Sequence, residues 1–191
     1  MLRAVFLTLA LAAPAQTPAE HVTLELRVFA KAQEVTGDTR ITVYKAGERG
    51  TPLAQATPQT GRLEIPVDPG IYDVQAIREH DGRVVGIRWA ERLVVMNYPD
   101  EAGHHLEVVN LDTGFGALQV RTKDAQGVPD VALFAAGERS KEIAPRLTGD
   151  DYALFVAPAG NYDLRARKGE REAWHAGLDV PLDRTRLLVV R

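Results

Sequence analysis

The sequence predicts an all-β protein, two tandem antiparallel β-sandwiches behind a cleaved leader. Three observations carry that expectation. The first fifteen residues, MLRAVFLTLALAAPA, have the layout of a signal peptide. The phrase GIYDVQA at 70–76 returns as GNYDLRA at 160–166, and YKAGER at 44–49 returns as FAAGER at 134–139, both ninety positions on. Between these landmarks lie short runs rich in Val, Ile and Leu, separated by turn signals, with no long stretch of helical periodicity.

In the leader, Arg3 precedes an apolar run from Ala4 to Ala13, and Ala13-Pro14-Ala15 is a small-x-small cleavage site. The run is too short to span a bilayer, which needs ~20 residues. The chain has no cysteine, so neither a lipid anchor at the cleavage site nor a disulfide framework is expected. The expected product starts near Gln16 with a short linker over 16–20, and is periplasmic or secreted, with no stable membrane insertion.

Two phrases repeated with the same gap between them point to a duplicated unit rather than chance. The match extends outward: VTLELRVFAKAQ (22–33) aligns with GALQVRTKDAQ (116–126), and HHLEVVN (104–110) with TRLLVVR (185–191). The expected organisation is module one over 21–111, a joint over 112–115 and module two over 116–191. Two copies are too few for a solenoid, so tandem domains are the better reading.

Module one reads in order as strands VTLELRVF, RITVY, RLEIPV, YDVQAI, VVGIRW and HLEVV. Turn signals divide them: TGD at 36–38, VDPG at 67–70 and His80-Asp81-Gly82, where Asp-Gly supplies the positive φ angles of a type I′ hairpin. KGER at 168–171 takes the corresponding place in module two. Six or seven short strands per module match an immunoglobulin-like sandwich. The succession AQGVPDVALF (125–134) and VAPAGNYDLRA (156–166), with VDPGIYDVQA in module one, is similar to the bacterial carboxypeptidase regulatory-domain-like, or transthyretin-like (prealbumin-like), β-sandwich family. That resemblance implies the fold, and it implies an accessory module on an exported protein, which is a fold-level analogy.

A net charge of −3, with ten basic and fifteen acidic side chains over 16–115 and twelve and eleven over 116–191, leaves no basic footprint for nucleic acid or anionic lipid. Catalytic signatures are likewise missing from the sequence. It contains no GxSxG, and Ser140, in the polar loop GERSKE, is its only serine. Among enzymes on related folds, the hydroxyisourate hydrolases carry a C-terminal Tyr-Arg-Gly-Ser, whereas this chain ends LLVVR, and the iron-holding Tyr and His set of intradiol dioxygenases is not visible. His104-His105 are neighbours that a strand sends to opposite faces, and no HExxH or EF-hand spacing occurs. No catalytic residue, cofactor or metal is therefore expected.

Strand alternation sorts the repeated phrase. Tyr72, Val74 and Ala76 share one face, as do Tyr162, Leu164 and Ala166, so both tyrosines are expected in a core with the hydroxyl bonded to nearby backbone. Asp73 and Asp163 fall on the opposite face and are expected to point outward. They read either as structural, through a turn hydrogen bond or a cross-strand partner such as Arg88, or as a recognition position used twice. Trp89, in phase with Val85, Ile87, Leu93 and Val95, and Trp174, in phase with Ala176, Leu178 and Val180, read as core anchors. Arg165, Arg167, Lys168 and Arg171 form a basic stripe, either solvated and blunting an edge strand or docking an acidic partner. Together with Asp73 and Asp163 it makes the candidate binding surface.

The expected function is that of a non-enzymatic exported accessory or protein-interaction module of the bacterial envelope, with another exported or envelope protein as its partner. The alternative is a carbohydrate-binding module, which requires exposed aromatic rings and would make a glycan the ligand.

Overall fold

A computed structural model describes residues 21–97, 103–123, 127–128, 130–144 and 146–190. The expected signal peptide and the linker over 16–20 lie outside them. The fold class agrees with the expectation: almost all the described structure is β, and among the described residues the only helix is a 3-10 turn at Thr36–Asp38. No helix among them is long and apolar enough to cross a membrane.

The first half contains β1 (Val22–Ala30), β2 (Gln33–Glu34), β3 (Thr39–Lys45), β4 (Ala54–Ala56), β5 (Leu63–Val67), β6 (Gly70–His80), β7 (Arg83–Val95) and β8 (His104–Asn110). One sheet has the order β4-β3-β6-β7, and the other is built around β1, paired antiparallel with β2 and β5 and parallel with β8. The second half contains β9 (Phe115–Thr122), β10 (Asp130–Ala135), β11 (Leu147–Thr148), β12 (Tyr152–Pro158), β13 (Gly160–Lys168), β14 (Arg171–Val180) and β15 (Thr185–Val190). Its sheets are β10-β13-β14 and β11-β12-β9-β15, and here too the first strand lies parallel to the last. The sheets are otherwise antiparallel, so this first-to-last parallel pair is a feature strand patterns alone did not announce.

Each half closes on its own core. Leu24, Leu26, Val28, Ile41, Val43, Val74 and Leu93 fill the first, and Leu118, Val120, Leu133, Phe155, Leu164 and Val180 the second. Full burial of a side chain of this size contributes about 1.5–3 kcal/mol. A third apolar cluster joins the halves: Phe29, Leu106 and Val108 meet Ala117, Tyr152, Leu154 and Val156. The β1 sheet of one half and the β9 sheet of the other therefore pack face to face, giving four stacked layers. That is why β1, β9 and β12 are buried on both faces instead of alternating.

A duplicated aspartate clamp and a polar junction

The two repeated phrases meet in space. In β6, Tyr72 pairs with Leu93 and Val74 with Ala90, so Asp73 alone faces both Glu91 and Arg92. In β13, Tyr162 pairs with Leu178 and Leu164 with His175, so Asp163 faces Ala176 and Gly177. Each pairing is a β-bulge, with the extra residue on β7 and on β14. Asp73 accepts from the Arg92 backbone N–H at 2.9 Å and from Arg49 Nε at 3.0 Å. Asp163 accepts from the Gly177 N–H at 3.0 Å and the Gly137 N–H at 3.2 Å, with Arg139 Nε at 3.5 Å. Gly47 and Gly137, at φ 84° and 78°, make the tight turns that bring these donors over the strand.

Here the structure corrects the expectation of outward aspartates. Asp73 and Asp163 do lie on the sheet face opposite the tyrosines, but the AGER turn folds over them and leaves each only 3% exposed. Burial pushes the Asp73 carboxyl up, yet its backbone and guanidinium donors outweigh that and hold it below the usual range. Hydrogen bonds from Gly177 and Gly137 hold Asp163 low in the same way. Arg88 is no partner of Asp73; it pairs with Asp183 at 2.6 Å. Tyr72 and Tyr162 are buried, and their hydroxyls donate to the carbonyls four residues back, Asp68 and Pro158.

The same bulges overturn the placing of the tryptophans in the core. One extra residue reverses the alternation, so Leu93 and Val95 face the core while Trp89 stands on the outer face with Ile87. Trp174 is displaced from Leu178 likewise. Both indoles are half-buried. Arg49 stacks over Trp89 at 4.3 Å and Arg139 over Trp174 at 4.4 Å, with Tyr44 and Phe134 beside them at ring separations of 5.7 and 5.3 Å.

The basic stripe is brought together only in part. Arg165 is half-buried over the Phe134 ring, Arg167 is exposed and pairs with Glu172 at 3.4 Å, and Lys168 faces Arg171 across the hairpin. β13 is the middle strand of its sheet, so Arg165, Arg167 and Lys168 blunt no edge; of the four, only Arg171 belongs to the edge strand β14.

Where the halves pack, sequence reading missed a second group. Glu25, 1% exposed on β1, accepts from Tyr152 Oη of β12 at 2.5 Å and from His104 Nε2 of β8 at 2.9 Å. Arg121 of β9 lies 2.9 Å from His104 Nδ1. Guanidinium can only donate, so Nδ1 accepts and Nε2 carries the proton given to Glu25. Arg27 donates to Tyr152 Oη at 3.2 Å and grips Glu34 through two bonds at 2.7 and 2.8 Å. A cleft of about 190 Å³ opens over this network, and at its mouth Arg62 reaches Asp150 across the junction at 3.1 Å.

Glu25, Glu64 and His104 offer three ligand atoms within 4.8 Å of one another, the geometric minimum for a metal ion. Their bonds already point elsewhere, however: Glu64 lies 3.0 Å from Arg62 Nε, and Arg121 fixes His104 with its proton toward Glu25. The donor set is an ion-pair network lined with guanidiniums, which does not fit a cation. Nor is it tuned for acid–base work. Burial would raise Glu25, but His104 and Tyr152 hold it below the usual carboxylate range, while burial and Glu25 push the Tyr152 phenol well above its ordinary value. Both groups are thus moved away from neutral pH, whereas general acid–base catalysis favours groups poised near it.

No protein-family model matches the chain, and no curated protein matches it. Solved structures similar to it include the Bacillus anthracis TIE protein, at 15% identity over 88% of this chain and 33% of that one, with a TM-score of 0.33. The tip fimbrial protein Mfa3 from Porphyromonas gingivalis, with C-terminal truncation, is 10% identical over 88% of this chain and 94% of that one, TM-score 0.31. The Streptococcal ancillary pilin is 10% identical over 92% of this chain and 64% of that one, TM-score 0.32. The chain thus spans a third of the length of the first. At these TM-scores the likeness carries no argument, and the β-sandwich architecture rests on the sheets and cores described above.

Proposed function

We propose that this chain is a non-enzymatic exported accessory module of the bacterial envelope that binds another exported protein. Its modules, 21–111 and 116–191 around a joint at 112–115, are then copies of one β-sandwich similar to the carboxypeptidase regulatory-domain-like family. The observation that carries this reading is what the polar groups do: in both halves the repeated Asp, Gly and Arg are consumed in holding the bulge. The outer face of the first half meanwhile presents Val85 and Ile87, each 56% exposed, beside Trp89 and Tyr44. Apolar and aromatic side chains next to arginine are the composition of protein interfaces. On the second half the corresponding surface is the basic stripe Arg165, Arg167, Lys168 and Arg171, suited to an acidic partner.

Capture from an envelope extract with three baits tests this: the wild type, V85E/I87E and R165E/R167E. A protein enriched by the wild type and lost with one surface variant is the expected result. An identical set on all three baits would show that neither face recognises anything.

The outward position of both tryptophans favours the carbohydrate reading more than the sequence did. Against it, the guanidiniums of Arg49 and Arg139 occupy ring faces a sugar would need. Titration with soluble glycan fragments is expected to leave the indole emission unchanged; a saturable change would replace the protein-partner reading with this one.

A further inference from the structure

The duplication supplies its own control for one residue. At the bulge of the second half the residue whose N–H closes on the aspartate is Gly177, at φ 66°. At the same place in the first half it is Arg92, at φ 55°. Backbone in this left-handed region suits glycine and is strained for any residue that carries a Cβ. The two bulges make the same hydrogen bond, so the clamp does not call for the guanidinium. A strained residue kept where its twin is relaxed points to work done by the side chain.

Arg92 borders a cleft of about 590 Å³ between β7, β8 and the loop at 182–184, a volume suited to a small organic ligand. The other charged groups on its walls are already bonded within the protein. Arg88 is paired with Asp183, Arg184 donates to the Glu91 carbonyl at 2.8 Å, and the Glu91 carboxylate is held by Arg49. Arg92 is exposed and its guanidinium has no partner among the described residues. With Arg49 and its second partner Asp73 included, the four guanidiniums of Arg49, Arg88, Arg92 and Arg184 stand against the three carboxylates of Asp73, Glu91 and Asp183, which leaves one positive charge. The remaining wall includes Trp89, Val108 and Leu182.

We propose that this cleft binds a small monoanionic organic carboxylate, with Arg92 gripping the carboxylate through its planar fork and the apolar wall taking the ligand body. A monoanion matches the single unpaired charge. A phosphate dianion would bring a second negative charge against Glu91 and Asp183. The cleft shares Trp89 with the outer face proposed for a protein partner, but V85E/I87E changes none of its lining residues and R92G leaves Val85 and Ile87 in place, so either can fail alone.

Calorimetric titration of the full chain with benzoate, acetate and inorganic phosphate tests it, with thermal melts of each variant alongside. Benzoate is expected to bind one-to-one and saturably, with acetate and phosphate at least tenfold weaker. R92G is expected to lose benzoate affinity at least tenfold while melting at the same temperature or higher, because glycine relaxes the bulge. Asparagine also tolerates this backbone, so R92N provides a second folded variant without the guanidinium if R92G melts lower. Benzoate binding retained in whichever variant is folded overturns the proposal. So does phosphate binding as tight as benzoate, or no saturable binding of any probe.

Discussion

Asp73 takes charge-assisted hydrogen bonds from two directions, the bulge of β7 and the AGER turn, and so holds together parts of the chain that alternation alone would leave apart. Replacing it with alanine strands those donors under a covered surface, and D73A is expected to lose about 3 kcal/mol in urea unfolding. D163A should fall in the same direction, and D73N should recover part of the loss. Glu107 gives a pH dependence. It is buried at the junction, accepts from the Thr185 N–H at 2.9 Å and from its hydroxyl, and has His105 and Arg184 as its nearest charges. Burial dominates and pushes its carboxyl up to about 7. The folded state therefore holds a proton that the unfolded chain has released, so this contribution is complete below pH ~4.5 and lost as pH rises through ~7. E107Q keeps the acceptor for Thr185 without the charge. Above pH 7 it is expected to exceed the wild type by up to about 3 kcal/mol, with the difference shrinking toward pH 4.5, as urea melts across that range would show. At this scale the tyrosines were legible, because alternation alone puts Tyr72 and Tyr162 inward. The burial of the aspartates was not, because their cover comes from a turn some twenty-five residues earlier in the chain.

The bulge is the element that separates what strand patterns predicted from what the strands do. The hairpin at His80-Asp81-Gly82 and the strand runs were readable; Asp81 and Gly82 do take positive φ, 50° and 71°. Alternation was carried straight through 84–95, and it fails at Val85, where the register with β6 shifts, and again at Glu91-Arg92, a dipeptide with no turn or glycine signal. In the second copy Gly177 was the available clue, since glycine inside a strand marks such a bend. Its backbone sits at positive φ, and a Cβ there would meet nothing within 4 Å, so G177A isolates the conformational strain. It is expected to lose about 1–2 kcal/mol, measured by denaturant unfolding, without altering the sheet spectrum.

Across the whole molecule, Glu25 and Arg27, which lie on the face of β1 turned away from the core of the first half, are buried because a second sandwich covers that face. A strand pattern shows which side a residue takes and is silent about what will pack on it. The junction cluster packs residues of both halves together, and the halves are expected to unfold as one cooperative body. L154A, on β12 and fully buried in that cluster, is expected to cost about 2–5 kcal/mol and to split one calorimetric transition into two. The first-to-last strand pairing has a mechanical consequence. With β1 parallel to β8 in register from Thr23–His104 to Phe29–Asn110, and β9 parallel to β15 likewise, tension between the ends of either half slides its terminal strands along each other. The ladder is loaded in shear, every rung at once, and cannot be unzipped one bond at a time. A chain wired this way transmits pull from one end to the other as two clamps in series.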